Sequence, residues 1–199
     1  MKCALLSNVN VESIARRIER HEVHIAQGYG VWTQELADPT SGTSSFGPSS
    51  VFLVIDGAEL LRGQRGLEPV LEQLDEHLAW IEQAAERSPG IKFFVSTVDV
   101  PARALLPLKE DRIERRLEQH WHAGIARASA SHANIYIFDL KALVEQVGRS
   151  LLYSNKRWYL GGLRFSTAGE KLIARELERI LEQTRVVRMP ERTAARGGR

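Results

Sequence analysis

Five consecutive apolar residues, 51–55 (VFLVI), leave few folds open to this chain. A strand with one solvated face alternates apolar and polar residues, whereas a strand covered on both faces is apolar throughout. The run ends at Asp56 and Gly57, residue types that close a strand. We therefore expect a central strand with helices packed on both of its faces.

Other segments repeat this alternation of strand and helix. We predict further strands at 2–7, 21–27, 91–95 and 135–138, the second of them an edge strand. Long amphipathic helices are predicted at 67–87, 109–130 and after Phe165. This order predicts a three-layer α/β/α sandwich around a five-stranded, mainly parallel sheet. Its topology would be flavodoxin-like, with right-handed crossovers.

The stretch between the edge strand and the central strand, 28–50, has a different composition. It predicts a single helical turn near Trp32, followed by a segment rich in Ser, Gly and Pro that forms no packed element. Near the other end of the chain, Thr167 and Glu170 have the spacing of a capping box, which predicts that the last helix begins there.

Charge and length set the domain boundaries. The 199 residues suit one domain, which we place at 1–183, followed by a basic tail at 184–199 that we expect to be disordered. The net charge is +2, but the tail alone carries five arginines and one glutamate, so the folded part is about −2. That balance offers no broad basic surface, and we expect no nucleic-acid partner.

Several classes of protein are disfavoured by what the sequence contains. Cys3 is the single cysteine, which allows no disulfide within the chain and favours a reducing compartment. The six histidines show no metal-ligand spacing, and we expect neither a metal nor another cofactor. No signal peptide or membrane span is apparent, so we expect a soluble, cytoplasmic protein.

Polar residues follow the predicted strands at one edge of the sheet. In sheets of this topology, ligands bind outside the carboxyl ends of the strands. A loop rich in aromatic and basic residues, which contains Arg164, precedes the last helix. The candidate ligand-contacting residues at this edge are Ser7, Asn8, Gly57, Ser96, Asp99 and Arg164.

Two segments resemble a known family. Residues 28–56, GYGVWTQELADPTSGTSSFGPSSVFLVID, resemble the segment before the central strand in the amino-terminal domain of FkbH-like proteins. The segments IYIFDLKALVEQVG and RWYLGGLRFSTAGEKLIARELERIL resemble the closing part of the same domain. With the LLSN start, the resemblance covers nearly all of the first 183 residues.

The resemblance implies an SGNH (GDSL-type) hydrolase-like fold, which in that family is normally followed by a haloacid-dehalogenase (HAD) phosphatase domain. Such proteins supply glyceryl-type units to acyl carrier proteins in polyketide pathways, or act in polysaccharide biosynthesis. No D-x-D-x-T signature follows Ser150, so phosphatase and Mg²⁺ chemistry do not carry over to this chain. The partners it implies are a HAD-type phosphatase or transferase module, or an acyl carrier protein.

An SGNH hydrolase uses a serine nucleophile, oxyanion donors and an Asp-x-x-His pair. The resemblance puts Ser7 at the nucleophile and Gly57 near the oxyanion glycine, while the asparagine position falls in Ser96-Thr97-Val98-Asp99. Gly161 and Arg164 fall at the Asp and His positions. Arginine stays protonated in proteins and cannot act as a general base, so the catalytic pair is predicted to be missing.

Simpler roles stand beside these. Ser7 can be a capping or turn residue, Arg164 can pair with a surface carboxylate, and Trp158 and Tyr159 can be packing residues under the loop. Asp56 and Asp99 can be turn formers.

Three functions follow from the sequence. The first is a degenerate SGNH-like domain that binds or docks an anionic or carrier-protein-linked group. The second is an active esterase or acyltransferase that uses Ser7, with His24, His132 or Asp99 as a recruited base. The third is an interaction domain whose helices at 67–87 and 109–130 form an oligomer interface.

Overall fold

A computed structural model describes residues 1–26, 28, 30–63, 66–101 and 112–186. Its five strands form a single sheet with the order β2-β1-β3-β4-β5, and all four neighbouring pairs are parallel. The strands are β1 (Lys2–Ser7), β2 (Glu22–Ile25), β3 (Ser50–Val54), β4 (Lys92–Ser96) and β5 (Ile135–Phe138). The predicted α/β sandwich with a parallel, flavodoxin-like sheet is confirmed.

Helices connect the strands and cover both faces of the sheet. They are α1 (Glu12–Ala15), α2 (Trp32–Ala37), α3 (Gly42–Phe46), α4 (Gly57–Leu60), α5 (Leu67–Arg87), α6 (Ile113–Ser131), α7 (Leu140–Val147), α8 (Arg149–Leu152), α9 (Asn155–Gly161) and α10 (Thr167–Val186). Two apolar clusters form, one on each face of the sheet. The first buries residues of α2, α5 and α6, and the second buries residues of α1, α7 and α10.

The central strand has the burial that its composition predicts. Every residue of β3 is buried, between β1 on one side and β4 on the other. Phe52 pairs with Leu5 of β1 and with Phe94 of β4, and the two phenyl rings stack at 4.8 Å. A continuous apolar run therefore marks the middle of the sheet.

The Ser/Gly/Pro-rich stretch was wrongly predicted to lack packed structure. It contains α3, where the Ser41 hydroxyl accepts a hydrogen bond from the Ser44 N–H, and Gly47 ends the helix at φ 64°. The Glu35 carboxylate accepts from the Thr43 N–H at 2.7 Å, which fastens α3 to α2. Local capping by short polar side chains thus compensates for poor helix propensity.

The last helix begins differently from the prediction. Ser166, not Thr167, is the capping residue, because its hydroxyl accepts from the Gly169 N–H at 2.9 Å. The capping box is therefore wrong, and the Glu170 carboxylate instead pairs with Arg157 at 2.8 Å and Arg17 at 3.4 Å. The helix runs to Val186, three residues into the predicted tail. The rest of that tail, and residues 109–111 of the predicted second long helix, lie outside the described residues.

One buried histidine makes stability depend on pH. His77 of α5 is 6% exposed and lies between the rings of Trp32 (4.8 Å) and Trp80 (5.5 Å). Burial lowers the pKa of His77 to about 4. An unfolded chain takes up the proton near pH 6.5, so stability is complete above that pH and falls between about 6.5 and 4. We expect a loss of about 2 kcal/mol between pH 7 and pH 5 from this group.

Urea unfolding of the wild type and of His77→Phe at pH 7 and pH 5 measures this loss. The difference in the free energy of unfolding between the wild type and His77→Phe should shrink or reverse at pH 5, because phenylalanine takes up no proton. His120→Gln is the matched control, since His120 pairs with Asp75 at the surface. An equal pH response in wild type and His77→Phe contradicts the prediction.

Within the described residues, no helix is both long enough and apolar enough to cross a membrane.

Candidate functional site

The carboxyl ends of β1, β3 and β4 lie side by side because these strands are neighbours in the sheet. Ser96 ends β4, but it is fully buried, and its hydroxyl accepts a hydrogen bond from the Ile55 N–H at 2.8 Å. Its carbonyl accepts from the Trp121 indole at 2.9 Å. The structure therefore places Ser96 in the core, where it joins β4 to β3 rather than facing a ligand.

The Ser7 hydroxyl is occupied by the backbone. It donates a hydrogen bond to the Val54 carbonyl of β3 and accepts one from the Val9 N–H at 3.1 Å. A nucleophilic serine must instead direct its proton towards a general base. In this arrangement Ser7 fixes the turn after β1, which is the simpler of the roles predicted for it.

All six histidines lie in the described part of the chain, and each makes its contacts away from Ser7. His24 stacks on Phe46 at 5.4 Å, and His132 lies before β5, which is three strands away from the strand that ends at Ser7. Among the other four, His21 contacts Met1 and His77 contacts Trp32. His120 contacts Asp75, and His122 contacts Val98. No hydrogen bond joins a histidine to the Ser7 hydroxyl in the described structure.

Asn8 joins the ends of two strands. Its amide nitrogen donates to the Asp56 carbonyl at 2.9 Å, and its amide oxygen accepts from the Asp56 N–H at 2.8 Å. The side chain is buried, and these two bonds fix its orientation. Asn8 therefore fixes the position of the Asp56 backbone. Asp56 and the residue that follows it, Gly57, both belong to the candidate site.

Asp56 and Arg164 form a buried ion pair. One carboxylate oxygen of Asp56 accepts from the Arg164 Nε–H at 2.6 Å, and the other caps α4 by accepting from the Glu59 N–H at 2.9 Å. Burial raises the pKa of the Asp56 carboxyl, and the Arg164 guanidinium opposes that shift. Arg164 does pair with a carboxylate, but with one inside the protein rather than at its surface.

The guanidinium of Arg164 lies over two aromatic rings. Its central carbon is 4.6 Å from the centroid of Tyr153 and 6.0 Å from that of Trp158. Its side chain is 8% exposed, and among the described residues its terminal nitrogens have no hydrogen-bond partner. Tyr159, the neighbour of Trp158, is 85% exposed, so the prediction that it packs under the loop is wrong.

A second ion pair lies nearby. Arg149 donates to one carboxylate oxygen of Asp99 at 2.5 Å, while the other oxygen is buried and has no partner among the described residues. Burial raises the pKa of the Asp99 carboxyl, against the opposing charge of Arg149. Asp99 is therefore held by an arginine, and no contact in the described structure joins it to Ser7.

Gly57 has a packing role that the sequence did not indicate. A Cβ atom at this position would lie 2.5 Å from the Val100 Cγ2 and 3.2 Å from the Val98 Cβ. The residue that the resemblance puts near an oxyanion hole thus also lets the turns after β3 and β4 approach each other.

Comparison with known proteins shows the fold. No family model matches the sequence, and a search of curated proteins finds no match. Among solved structures, the lipase/acylhydrolase from Enterococcus faecalis superposes with a TM-score of 0.59 and 16% identity, over 92% of this chain and 96% of that one. A GDSL-like lipase (BT0569) from Bacteroides thetaiotaomicron superposes with a TM-score of 0.55 and 12% identity, over 92% and 88% of the two chains. This chain has the fold of the GDSL-type hydrolases.

A further solved structure with this GDSL-type fold superposes with a TM-score of 0.78 and 16% identity. It is the amino-terminal part of the protein BF1531 from Bacteroides fragilis, which contains a phosphatase domain. The match covers 93% of this chain and 52% of that one, so this chain spans about half of its length. These superpositions support the resemblance to the FkbH-like amino-terminal domain at the level of fold.

Two residues of this candidate site were missed by the sequence analysis. Tyr153 stacks on Phe165 at 5.7 Å and lies under Arg164, and Arg149 pairs with Asp99. The aromatic and basic composition of the loop singled out the segment but not these partners, since pairing depends on how the chain returns to the sheet.

A cavity of about 480 Å³ borders the other side of the strand ends. Its lining includes Ser7, Asn8, Asn10, Ile25 and Gly28, between the turns after β1 and β2.

In the described residues, no group of three or more His, Cys, Asp or Glu side chains could hold a metal ion.

Proposed function

We propose that this chain is a GDSL-like domain that binds or docks rather than cleaves. Its ligand is an anionic or carrier-protein-linked group held at the strand ends by Asn8, Gly57, Asp99 and Arg164. The observation that carries the proposal is the Ser7 hydroxyl, whose proton points to the Val54 carbonyl. A hydroxyl in that geometry has no base to accept its proton.

Arg164 supports the same proposal. It falls where the resemblance expects the catalytic histidine, and its Nε–H binds the buried Asp56 carboxylate. A guanidinium keeps its proton at any pH at which a protein stays folded, so it can bind and orient a ligand but cannot activate serine.

The proposed partner is a HAD-type phosphatase or glyceryl-transfer activity in polyketide or polysaccharide biosynthesis. Support comes from the BF1531 structure, in which the matching region shares a chain with a phosphatase domain. A binding domain beside such an activity could present a substrate or an acyl carrier protein to it.

The alternative is an active esterase or acyltransferase that uses Ser7. The near-complete overlap with the Enterococcus faecalis lipase/acylhydrolase favours it. This alternative requires the Ser7 hydroxyl to leave the Val54 carbonyl and meet a base on substrate binding.

Labelling with a fluorophosphonate probe, followed by intact mass measurement, separates the two functions. Such probes react with activated serines, so we expect no adduct on the wild type, and a GDSL-type esterase serves as the positive control. The companion measurement is calorimetric titration with S-acetyl-phosphopantetheine, for which we expect saturable binding. The matched variant is Asp56→Asn with Arg164→Gln, which removes both charges, keeps hydrogen-bonding groups and should weaken binding.

A stoichiometric adduct that disappears in Ser7→Ala would establish a live nucleophile and refute the binding-only function. Absence of saturable binding in a folded protein would refute the carrier-linked ligand.

A further inference from the structure

A cavity of about 420 Å³ lies at the amino-terminal ends of β3 and β4, on the far side of the sheet from the strand ends that carry the candidate site. Residues of α2, α3 and the end of α5 close it from the side. Its apolar walls are Leu36, Pro48, Val51, Ala84, Ile91 and Phe93. The Ser/Gly/Pro-rich segment 28–50, which the proposed function does not use, thus forms one wall of a second cavity.

The floor of this cavity belongs to the core. Val51 and Phe93 are buried residues of the sheet, and Leu36 is a buried residue of α2. An apolar group bound there would lose its contact with water and pack against side chains that are already fixed. Ligand pockets in proteins have volumes of about 300–1,000 Å³, so the cavity is large enough for a small molecule.

Arg87 supplies a cation to the lining. It is the last residue of α5, and its guanidinium donates a hydrogen bond to the Leu36 carbonyl. Glu35 also lines the cavity, but its carboxylate accepts from the Thr43 N–H at 2.7 Å, and no ion pair joins it to Arg87 in the described structure. The other N–H groups of Arg87 are therefore available to a carboxylate, the anion that the guanidinium geometry matches.

The end of α5 does not oppose an anion beside Arg87. Free carbonyl groups at the end of a helix carry partial negative charge and repel anions. Here the Asn134 amide nitrogen lies within hydrogen-bonding distance of three carbonyls, those of Ala85, Ser88 and Ile91. That amide offsets the negative end of the helix.

The Thr43 hydroxyl lacks a partner at the same cavity. Thr43 lines the cavity and is 6% exposed, and its Oγ1 is buried with no hydrogen-bond partner among the described residues. Buried hydroxyl groups nearly always have a partner in folded proteins. An oxygen atom of a bound molecule would supply the missing acceptor.

We infer that this cavity binds a small apolar carboxylate. Its carboxylate accepts hydrogen bonds from Arg87, its apolar part packs on Val51 and Phe93, and one of its oxygens accepts from the Thr43 hydroxyl. This site lies apart from the strand-end site and does not depend on the proposed function.

Calorimetric titration with octanoate tests the inference. Octan-1-ol lacks the charge and acetate lacks the chain, so we expect the wild type to bind one octanoate at least about tenfold more tightly than either compound. Arg87→Gln should weaken octanoate binding about tenfold and leave octan-1-ol binding unchanged. Arg127→Gln, which removes an exposed arginine of α6, is the matched control and should bind octanoate as the wild type does.

Thr43→Val separates a ligand contact from a structural role. Valine has nearly the same shape and removes only the unpartnered hydroxyl, so the variant should unfold at the same temperature as the wild type or at a higher one without ligand. It should nevertheless bind octanoate about fivefold more weakly.

Amide chemical shifts in NMR spectra locate the bound octanoate. We expect the changes at residues 35–51 and 84–93, whereas changes confined to the loops that contain Ser7 and Arg164 would overturn the inference. Equal affinity for octanoate and octan-1-ol, or unchanged octanoate affinity in both Arg87→Gln and Thr43→Val, would overturn it as well. Each of these outcomes leaves the proposed function untouched, since that function is tested with S-acetyl-phosphopantetheine.

Discussion

Replacing Arg164 with alanine should lower the free energy of unfolding by about 3–5 kcal/mol. The substitution leaves Asp56, which is 3% exposed, with no cation, because the Arg164 Nε–H is its charged partner. It also removes the guanidinium that packs on the rings of Tyr153 and Trp158. Urea unfolding at pH 7, followed by circular dichroism, measures the loss.

The control for Arg164→Ala is Arg16→Ala. Arg16 pairs with Glu12 on the surface of α1, with its side chain 75% exposed, and such pairs contribute about 0.5 kcal/mol or less. Adding Asp56→Asn to Arg164→Ala should restore part of the loss, because the orphaned charge disappears. A loss in Arg164→Ala no greater than that in Arg16→Ala would refute the buried-pair account.

Replacing Gly169 with alanine should cost about 3 kcal/mol. A Cβ atom there would overlap the Leu152 carbonyl oxygen and lie 2.9 Å from its carbon. The obstacle is backbone, since Leu152 ends α8 and its carbonyl accepts from the Ser166 N–H at 2.9 Å. The first turn of α10 cannot move away without breaking that hydrogen bond, so the steric overlap cannot be relieved without a loss of stability.

Gly161→Ala is the matched control for Gly169→Ala. Gly161 ends α9, and apart from its chain neighbours and the backbone of its own helix no described atom lies within 4 Å of the position that an alanine methyl group would take, so alanine should be neutral or slightly stabilising. Thermal unfolding of both variants measures the contrast. Equal melting temperatures for Gly169→Ala and the wild type would show that α10 shifts freely against α8.

The layered sheet was predictable because its signal is local and repeated. Each buried strand is a short apolar run, and the long helices show their own three- and four-residue spacing. The wrong predictions concerned features that depend on only one or two residues. A capping hydroxyl at Ser166 rather than Thr167 moves the start of α10 by a single position, and α3 depends on caps that composition alone does not reveal.

The candidate site was predicted only as a set of positions. Asp56 and Arg164 are 108 residues apart, and Asp99 and Arg149 are 50 apart, so nothing in either local sequence indicates its partner. Ser96 was selected because it ends a strand, yet Trp121 and Ile55 enclose it. Strand ends indicate where a site lies, whereas the direction of each side chain depends on packing that the pattern does not encode.

The Asn8 side chain extends the hydrogen bonding between β1 and β3 by one residue beyond the two strands. Its amide presents the donor and acceptor that another backbone residue would offer, and both bind Asp56 beyond the last paired residues, Ser7 and Val54. β1 and β3 are the two strands at which the order of this sheet reverses, and their connections leave on opposite sides and open a crevice there. In this protein the Asn8 side chain bridges β1 and β3 at the base of that crevice, so a ligand bound at the strand ends would rest above the Asn8 amide instead of entering between the strands.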